Sequence, residues 1–364
     1  MGQSPALPGG VTRGVLLGAH RLAVRRVERK RQRGSGIRVA KCTRGTAQSV
    51  GAVLTGRVRT GMLKSMRCLN FAAVAAFVLA APSEAQRVPG RDLLYYPIGT
   101  LAEAPSLALD TGDGFQNPAA IWLPSVARIR GTAVALNTGT DRGVGGQLIA
   151  IAISVPDDIT VGFSAVHASI DGIAPTVNDP APIGREIPYN TLVLSLSGAR
   201  RSLKHITSGI AVRYRTGEIG RTRGSAFGLD GGVIAEHVFG YDARIGLSSF
   251  LWGPGAGEGD DASLHTAFDA RVIGADSTHQ ARVGYSYTFG DGAAAGHYVF
   301  ISGRYSRWIG RAGIARTDAY GNTDTTLRLA LGLRYARYTV GLSREDSAGG
   351  FDPTYQFVLS GVFR

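Results

Sequence analysis

The stretch Leu327-Arg328-Leu329-Ala330-Leu331-Gly332-Leu333-Arg334-Tyr335 places an apolar residue at every second position and Arg, Ala or Gly between. A helix would scatter these leucines around its circumference, whereas a strand gathers them on one face. The same period recurs in Ala281, Val283, Tyr285, Tyr287 and Phe289, interleaved with Arg282, Gly284, Ser286 and Thr288. The second face is Arg, Ser, Thr and Gly rather than another apolar layer. A soluble sandwich shows similar alternation, but strands of this length match the ~9 to 11 residues that a tilted transmembrane strand needs.

Working outward, the pattern predicts fourteen strands, near 128–137, 145–155, 159–169, 189–198, 206–216, 225–236, 242–252, 263–273, 279–289, 296–306, 311–318, 324–335, 337–345 and 354–363. The strand at 311–318 is the least regular, because Arg316 and Asp318 fall on the side of Ile314, and its loss would leave twelve. An even count lets both chain ends lie on the periplasmic side of a closed bacterial barrel. Link lengths agree with fourteen: long outer links at 170–188, 217–224, 253–262 and 346–353 alternate with short inner ones at 156–158, 274–278 and Ala336, apart from a longer inner link at 199–205. The fold class expected is all-β, a 14-stranded antiparallel transmembrane barrel with an N-terminal plug segment.

Upstream lies a different text. The chain has 364 residues, 51 of them Gly, about twice ordinary usage, and a formal charge of +13. Residues 1–61 carry +12 of that charge, residues 62–85 carry +1, and residues 86–364 are neutral. A nucleic-acid partner is therefore not expected for the main body. Met62 to Arg67 is a short basic segment, Phe71 to Ala81 an unbroken apolar run, and Pro82-Ser83-Glu84-Ala85 a small-residue cleavage site: a signal peptide over 62–85, cut after Ala85. Eleven apolar residues are too few to cross a bilayer as a helix. Residues 1–61 read as a non-native upstream extension, because an arm ahead of a signal peptide would obstruct export. Cys42 and Cys68 both precede the cut, so the exported chain contains no thiol chemistry and no Cys-ligated metal. The expected organisation is extension 1–61, signal peptide 62–85, plug segment 86–127 and barrel 128–364.

Residues 110–121 read Asp-Thr-Gly-Asp-Gly-Phe-Gln-Asn-Pro-Ala-Ala-Ile. Asn117, Pro118 and Ala119 resemble the Asn-Pro-Ala stretch near the mature N-terminus of FadL-like fatty-acid-transporter barrels and of the related PorV-type barrels associated with secretion. No Gly-rich run precedes it here, as one does in those families. The resemblance implies a fourteen-stranded barrel whose N-terminal segment folds inside as a plug. Tyr355, Phe357, Leu359, Gly361 and Phe363 are similar to the terminal signature read by the barrel-assembly machinery, although Arg364 follows.

Sorting strands by face directs Arg213, Arg215, Arg244, Arg271, Arg282, Arg304, Arg328 and Arg334 to the lumen, with Asp230, Glu236 and Asp269. One reading is attraction of an anionic solute; the other is an arginine ladder bonded to plug and backbone, with Asp92, Glu103, Asp110 and Asp113 available as partners. His167 and Ser169 share a strand face near Asn178 and Asn190, an arrangement similar to outer-membrane lipases, but the neighbouring residues match no lipase signature and an ordinary loop-edge pair is preferred. The acidic loop at 257–261 departs from calcium-loop spacing and reads as solvated loop. Trp252 and Tyr320, and at the other end Tyr241, Trp308 and Tyr338, suit interfacial girdles. The expected function is passive uptake of small hydrophobic or amphipathic solutes, without cofactor or metal. The partners expected are outer-membrane lipid, the assembly machinery and a hydrophobic or anionic small molecule. A secretion-associated or structural barrel is the alternative, and a lipase the lesser one.

Overall fold

The computed structural model describes residues 88–364 apart from 125, 139–142, 174–185, 239–240, 254–262, 275, 277, 291–294, 320–321 and 347–352. The extension and signal peptide therefore lie outside the described residues, as do Asn178, Tyr320 and the loop at 257–261. Fourteen antiparallel strands close into a barrel: β1 Ile129–Thr138, β2 Val144–Val155, β3 Ile159–Ile170, β4 Tyr189–Leu203, β5 Ile206–Ile219, β6 Thr222–Glu236, β7 Ala243–Phe250, β8 Ser263–Ile273, β9 His279–Phe289, β10 Ala295–Tyr305, β11 Trp308–Ala319, β12 Asn322–Tyr335, β13 Tyr338–Glu345 and β14 Thr354–Phe363. Each strand pairs with its neighbours in sequence, and β1 pairs with β14 from Ile129 opposite Phe363 to Thr138 opposite Thr354. No edge remains unpaired.

The structure corrects the sequence expectation at several ends. The irregular strand is longer than expected, so the twelve-strand alternative falls: β11 starts at Trp308 and pairs fully with β10 and β12. Arg316 is exposed on the outer side with Ile314, at the end of the strand where it can leave the apolar band. The long inner link at 199–205 is a two-residue turn, Lys204-His205, because β4 continues to Leu203. The outer link at 217–224 is likewise only Gly220-Arg221, since β5 and β6 extend as a polar hairpin beyond the apolar band. At the end where β1 begins and β14 finishes, here the terminal end, every turn has six residues or fewer, as periplasmic turns do. Asp157 and Asp158 form one of them, with φ of 70° and 56°, the backbone of a tight hairpin turn.

Outward-facing positions carry Ile149, Ile151, Phe163, Leu196, Phe227, Phe268, Ile301, Leu329 and Leu331, all exposed. Such a band on a closed barrel is a lipid-facing surface. Aromatic side chains fringe it: Tyr241, Tyr305, Trp308, Tyr335 and Tyr338 at the terminal end, Trp252, Phe289 and Tyr355 at the distal end. Inward-facing positions are buried against residues 88–124, a run of turns and three short 3-10 stretches that fills much of the bore. Three apolar clusters join this segment to the wall, one around Ile98, Phe115, Leu148 and Val358, a second around Leu107, Ala119, Ile234 and Phe300, and a third around Ile121, Leu123, Ala152 and Ala199.

Candidate functional site in the barrel interior

The Asn-Pro-Ala stretch folds as a short capped turn. The Asn117 side chain accepts a hydrogen bond from the Ala119 N–H (2.9 Å) and donates to the Ser106 carbonyl (2.7 Å), and Pro118 occupies the first position of the 3-10 stretch Pro118–Ile121. The wall beneath it is Gly209 paired with Gly232 across β5 and β6. A Cβ on Gly232 would stand 1.9 Å from the Asn117 oxygen, and one on Gly209 would stand 2.5 Å from the Ala119 nitrogen. Glycine is thus required there by close backbone approach. Next door, a Cβ on Gly246 would meet the Ser106 carbonyl at 2.4 Å.

All eight arginines selected from the sequence lie on inward-facing positions, and each is bonded. Arg213 is fully buried between the rings of Phe115 and Phe250, donates to the Phe115 carbonyl and pairs with Asp230. Asp230 also accepts from the backbone N–H groups of Leu251 and Trp252 (both 3.1 Å). Arg215 donates to the Val88 carbonyl at 3.1 Å. Arg328 pairs with Glu345 at 2.9 Å and stacks on Tyr298. Glu236 pairs with Arg201 instead, 3.0 Å away.

The remaining arginines form one chain of ion pairs around the terminal half of the bore. Asp110 receives Arg304 (2.9 Å), Arg334 (3.2 Å) and Arg311. Arg311 and Arg244 each reach Glu103 at 3.1 Å. Arg244 and Arg282 share Asp269, Arg282 continues to Asp242 (2.9 Å), and Arg271 meets Asp242 at 3.0 Å. Burial works against the ionised Asp242 carboxyl, in the β6–β7 turn. The hydrogen bond and charge of Arg282, with Arg271, outweigh it and hold that carboxyl below its ordinary range.

Arg311 and Asp242 carry this network with the residues foreseen, and face-sorting missed them, as it missed Glu345, the partner of Arg328. Arg311 sits two positions from Gly313 and four from Ala315 on the inward face of the least regular strand. Reading the alternation back to Trp308, whose exposed ring marks the outward face, would have found it.

Two cavities border the interior segment along the β8–β12 wall. The terminal one, about 470 Å³, is lined by Arg244, Arg271, Arg282, Arg304, Arg311 and Arg334 with their carboxylate partners. The distal one, about 80 Å³, lies between Leu94, Pro97 and Gln116 of the segment and Phe250, His265 and Tyr298 of the wall. Between them stand the Arg311–Glu103–Arg244 pairs and Tyr298, whose hydroxyl donates to the Ala102 carbonyl (2.8 Å).

His167 and Ser169 both point outward from β3, and Asn190 lies opposite Ser169 in register. Among the described residues no hydrogen bond joins the two and no carboxylate is bonded to either, so no catalytic triad is assembled. No group of three or more His, Cys, Asp or Glu fit for a metal ion occurs among them.

Over 73% of this chain and 98% of its own, a solved structure of the CymD monoaromatic hydrocarbon channel is similar to it, with a TM-score of 0.50 and 10% identity. The likeness is one of fold, a closed antiparallel barrel of the outer-membrane kind. Other similar structures are a TodX monoaromatic hydrocarbon channel variant (TM-score 0.40, 8% identity, 64% of this chain and 87% of that one) and OprB of Pseudomonas putida (TM-score 0.37, 9% identity, 65% and 92%). No protein-family description and no curated protein matches the sequence.

Proposed function

We propose that this barrel is an outer-membrane channel for passive uptake of small amphipathic solutes, with residues 88–124 acting as the plug. The observation that carries the reading is the pair of cavities beside the segment, parted by the Arg311–Glu103–Arg244 pairs, the distal one edged by aromatic rings and the terminal one charged. A solute with an apolar body enters against Phe250 and Tyr298. It passes only when the segment yields its Glu103 and Asp110 contacts to the wall. The arginines favour no net anion selectivity, because the carboxylates beside them already compensate their charge. Polarity of the exit, rather than attraction of an anion, then shapes the path. The monoaromatic hydrocarbons named for CymD supply the first neutral probes.

The test is flux in proteoliposomes. Deleting residues 88–123 should raise leakage of small hydrophilic solutes, because the vacated polar lumen fills with water. Glu103→Gln with Asp110→Asn should speed passage of a neutral monocyclic alcohol by loosening the segment. If neither change alters flux of any solute, the channel reading fails, and a sealed barrel serving secretion or structure becomes the account.

A further inference from the structure

On the outer face, β9, β10 and β11 put four small residues side by side, flanked by Ile301, Leu329 and Leu331. Ala281 lies opposite Gly303, Gly303 opposite Gly310, and Ala312 one outward position beyond Gly310. The depression they leave comprises two overlapping cavities of about 500 Å³ each, walled by Ile301 and Leu331 and closed toward the terminal end by Tyr305 and Trp308. Backbone conformation does not demand these glycines, because neither has a positive φ. Packing within the chain does not demand them either: a Cβ on Gly310 meets nothing within 4 Å, and one on Gly303 only two carbonyl oxygens at 3.9 and 4.0 Å. The space opens onto the membrane side of the wall.

Two arginines stand in the turns beyond the terminal edge of this depression. Arg307, in the turn between Tyr305 and Trp308, lays its guanidinium over Tyr335 at 5.2 Å. Arg337, in the next turn, stands 5.3 Å from Tyr338 and 4.9 Å from Phe363. The first turn is stitched to its neighbours by Ser306 N–H to Thr278 carbonyl (2.8 Å) and Arg334 N–H to Arg307 carbonyl (2.7 Å), and the second by Val362 N–H to Arg337 carbonyl (2.9 Å), which fixes the height of both backbones. Neither is paired with a carboxylate among the described residues; the nearby Asp276 is engaged by Thr278 and His279. Two aromatic-backed cations at headgroup depth above an acyl-sized apolar recess make an amphiphile site with a negative head.

We propose that the β9–β11 depression binds an anionic phospholipid of the leaflet at the terminal end, an acyl chain lying over Gly303 and Gly310 and the phosphate meeting Arg307 and Arg337. Short turns make that leaflet the periplasmic one. The site is independent of solute passage through the bore.

Trp308 reports on it directly. In a Trp122→Phe/Trp252→Phe background reconstituted in phosphatidylcholine vesicles, brominated phosphatidylglycerol at low mole fraction should quench Trp308 roughly fivefold more effectively than brominated phosphatidylethanolamine. Arg307→Ser with Arg337→Ser should abolish that preference while the barrel keeps its heat-modifiable mobility on gels. Gly303→Leu with Gly310→Leu should reduce quenching by both lipids. Equal quenching by the two lipids in the parent protein, or a preference that survives loss of both arginines, overturns the proposal. Disulfide-linked barrel dimers formed in high yield by a Gly310→Cys variant would also overturn it, by showing that a second copy fills the recess.

Discussion

Glycine has opposite meanings on the two faces of this barrel. Inside, Gly209, Gly232 and Gly246 are pressed by the backbone of residues 106–119, and a methyl group at any of them would collide with a main-chain or Asn117 atom. Outside, Gly303 and Gly310 look into open space. The inner face is therefore fitted to one particular object, whereas the outer face is matched to a fluid solvent. Specific complementarity and bulk compatibility fail in different ways when altered, and substitutions can be chosen to separate them.

The largest effect is expected inside. Arg213→Leu strands Asp230 as an uncompensated buried charge and should cost about 3–5 kcal/mol in urea unfolding from lipid vesicles. Adding Asp230→Leu should recover most of the loss; no recovery would mean that Arg213 acts through its stacking on Phe115 and Phe250. Next, Leu331→Arg on the outer face should cost roughly 2–4 kcal/mol if it lies at midplane depth, falling toward zero for the same change near the girdle. Smaller still, Gly232→Ala should destabilise by about 1–3 kcal/mol through overpacking against Asn117. Gly310→Ala should be close to neutral by the same measurement. Equal costs for the two glycine changes would break the contrast between the faces.

The smallest effect concerns a turn outside both. Hydrogen bonds from Thr278 and His279 hold the Asp276 carboxyl down to about 2. A depressed carboxylate contributes its stability above the unfolded value of 3.8 and loses it as pH falls through about 2. Protection of the Thr278 and His279 amides, the ratio of intrinsic to observed exchange rate, should thus persist to near pH 4 and fall between there and pH 2. Asp276→Asn should remove that pH dependence.

Most of the wall was legible because the bilayer imposes a period of two on every strand that crosses it. The bounds of β8, β9 and β14 agree with expectation residue for residue. Errors fell mostly where that constraint stops: Ala199 to Leu203 and Gly217 to Ile219 continue their strands beyond the apolar band, where no alternation of hydropathy is needed to keep them paired, and Trp308 to Gly310 were missed at the start of the least regular strand. The inward direction of Arg213, Arg244 and Arg282 was readable for the same reason as the strands. Their partners were not. Glu103 and Asp110 come from a segment with no period of its own, and they meet Arg311 and Arg334 across more than two hundred residues of chain. Only the closed fold brings them together.

The β1–β14 seam couples the start of the barrel to its last ten residues. Closing a loop of that length is entropically the most demanding pairing in the molecule, and nothing can be exchanged for it, since every other strand already has both neighbours. Biogenesis is therefore gated by the carboxyl end: until Thr354–Phe363 arrives, the chain is an open, curling sheet with two sticky margins. The segment at 88–124 can be laid against its glycines while that sheet is still open, so that closure wraps the wall around contents already in place.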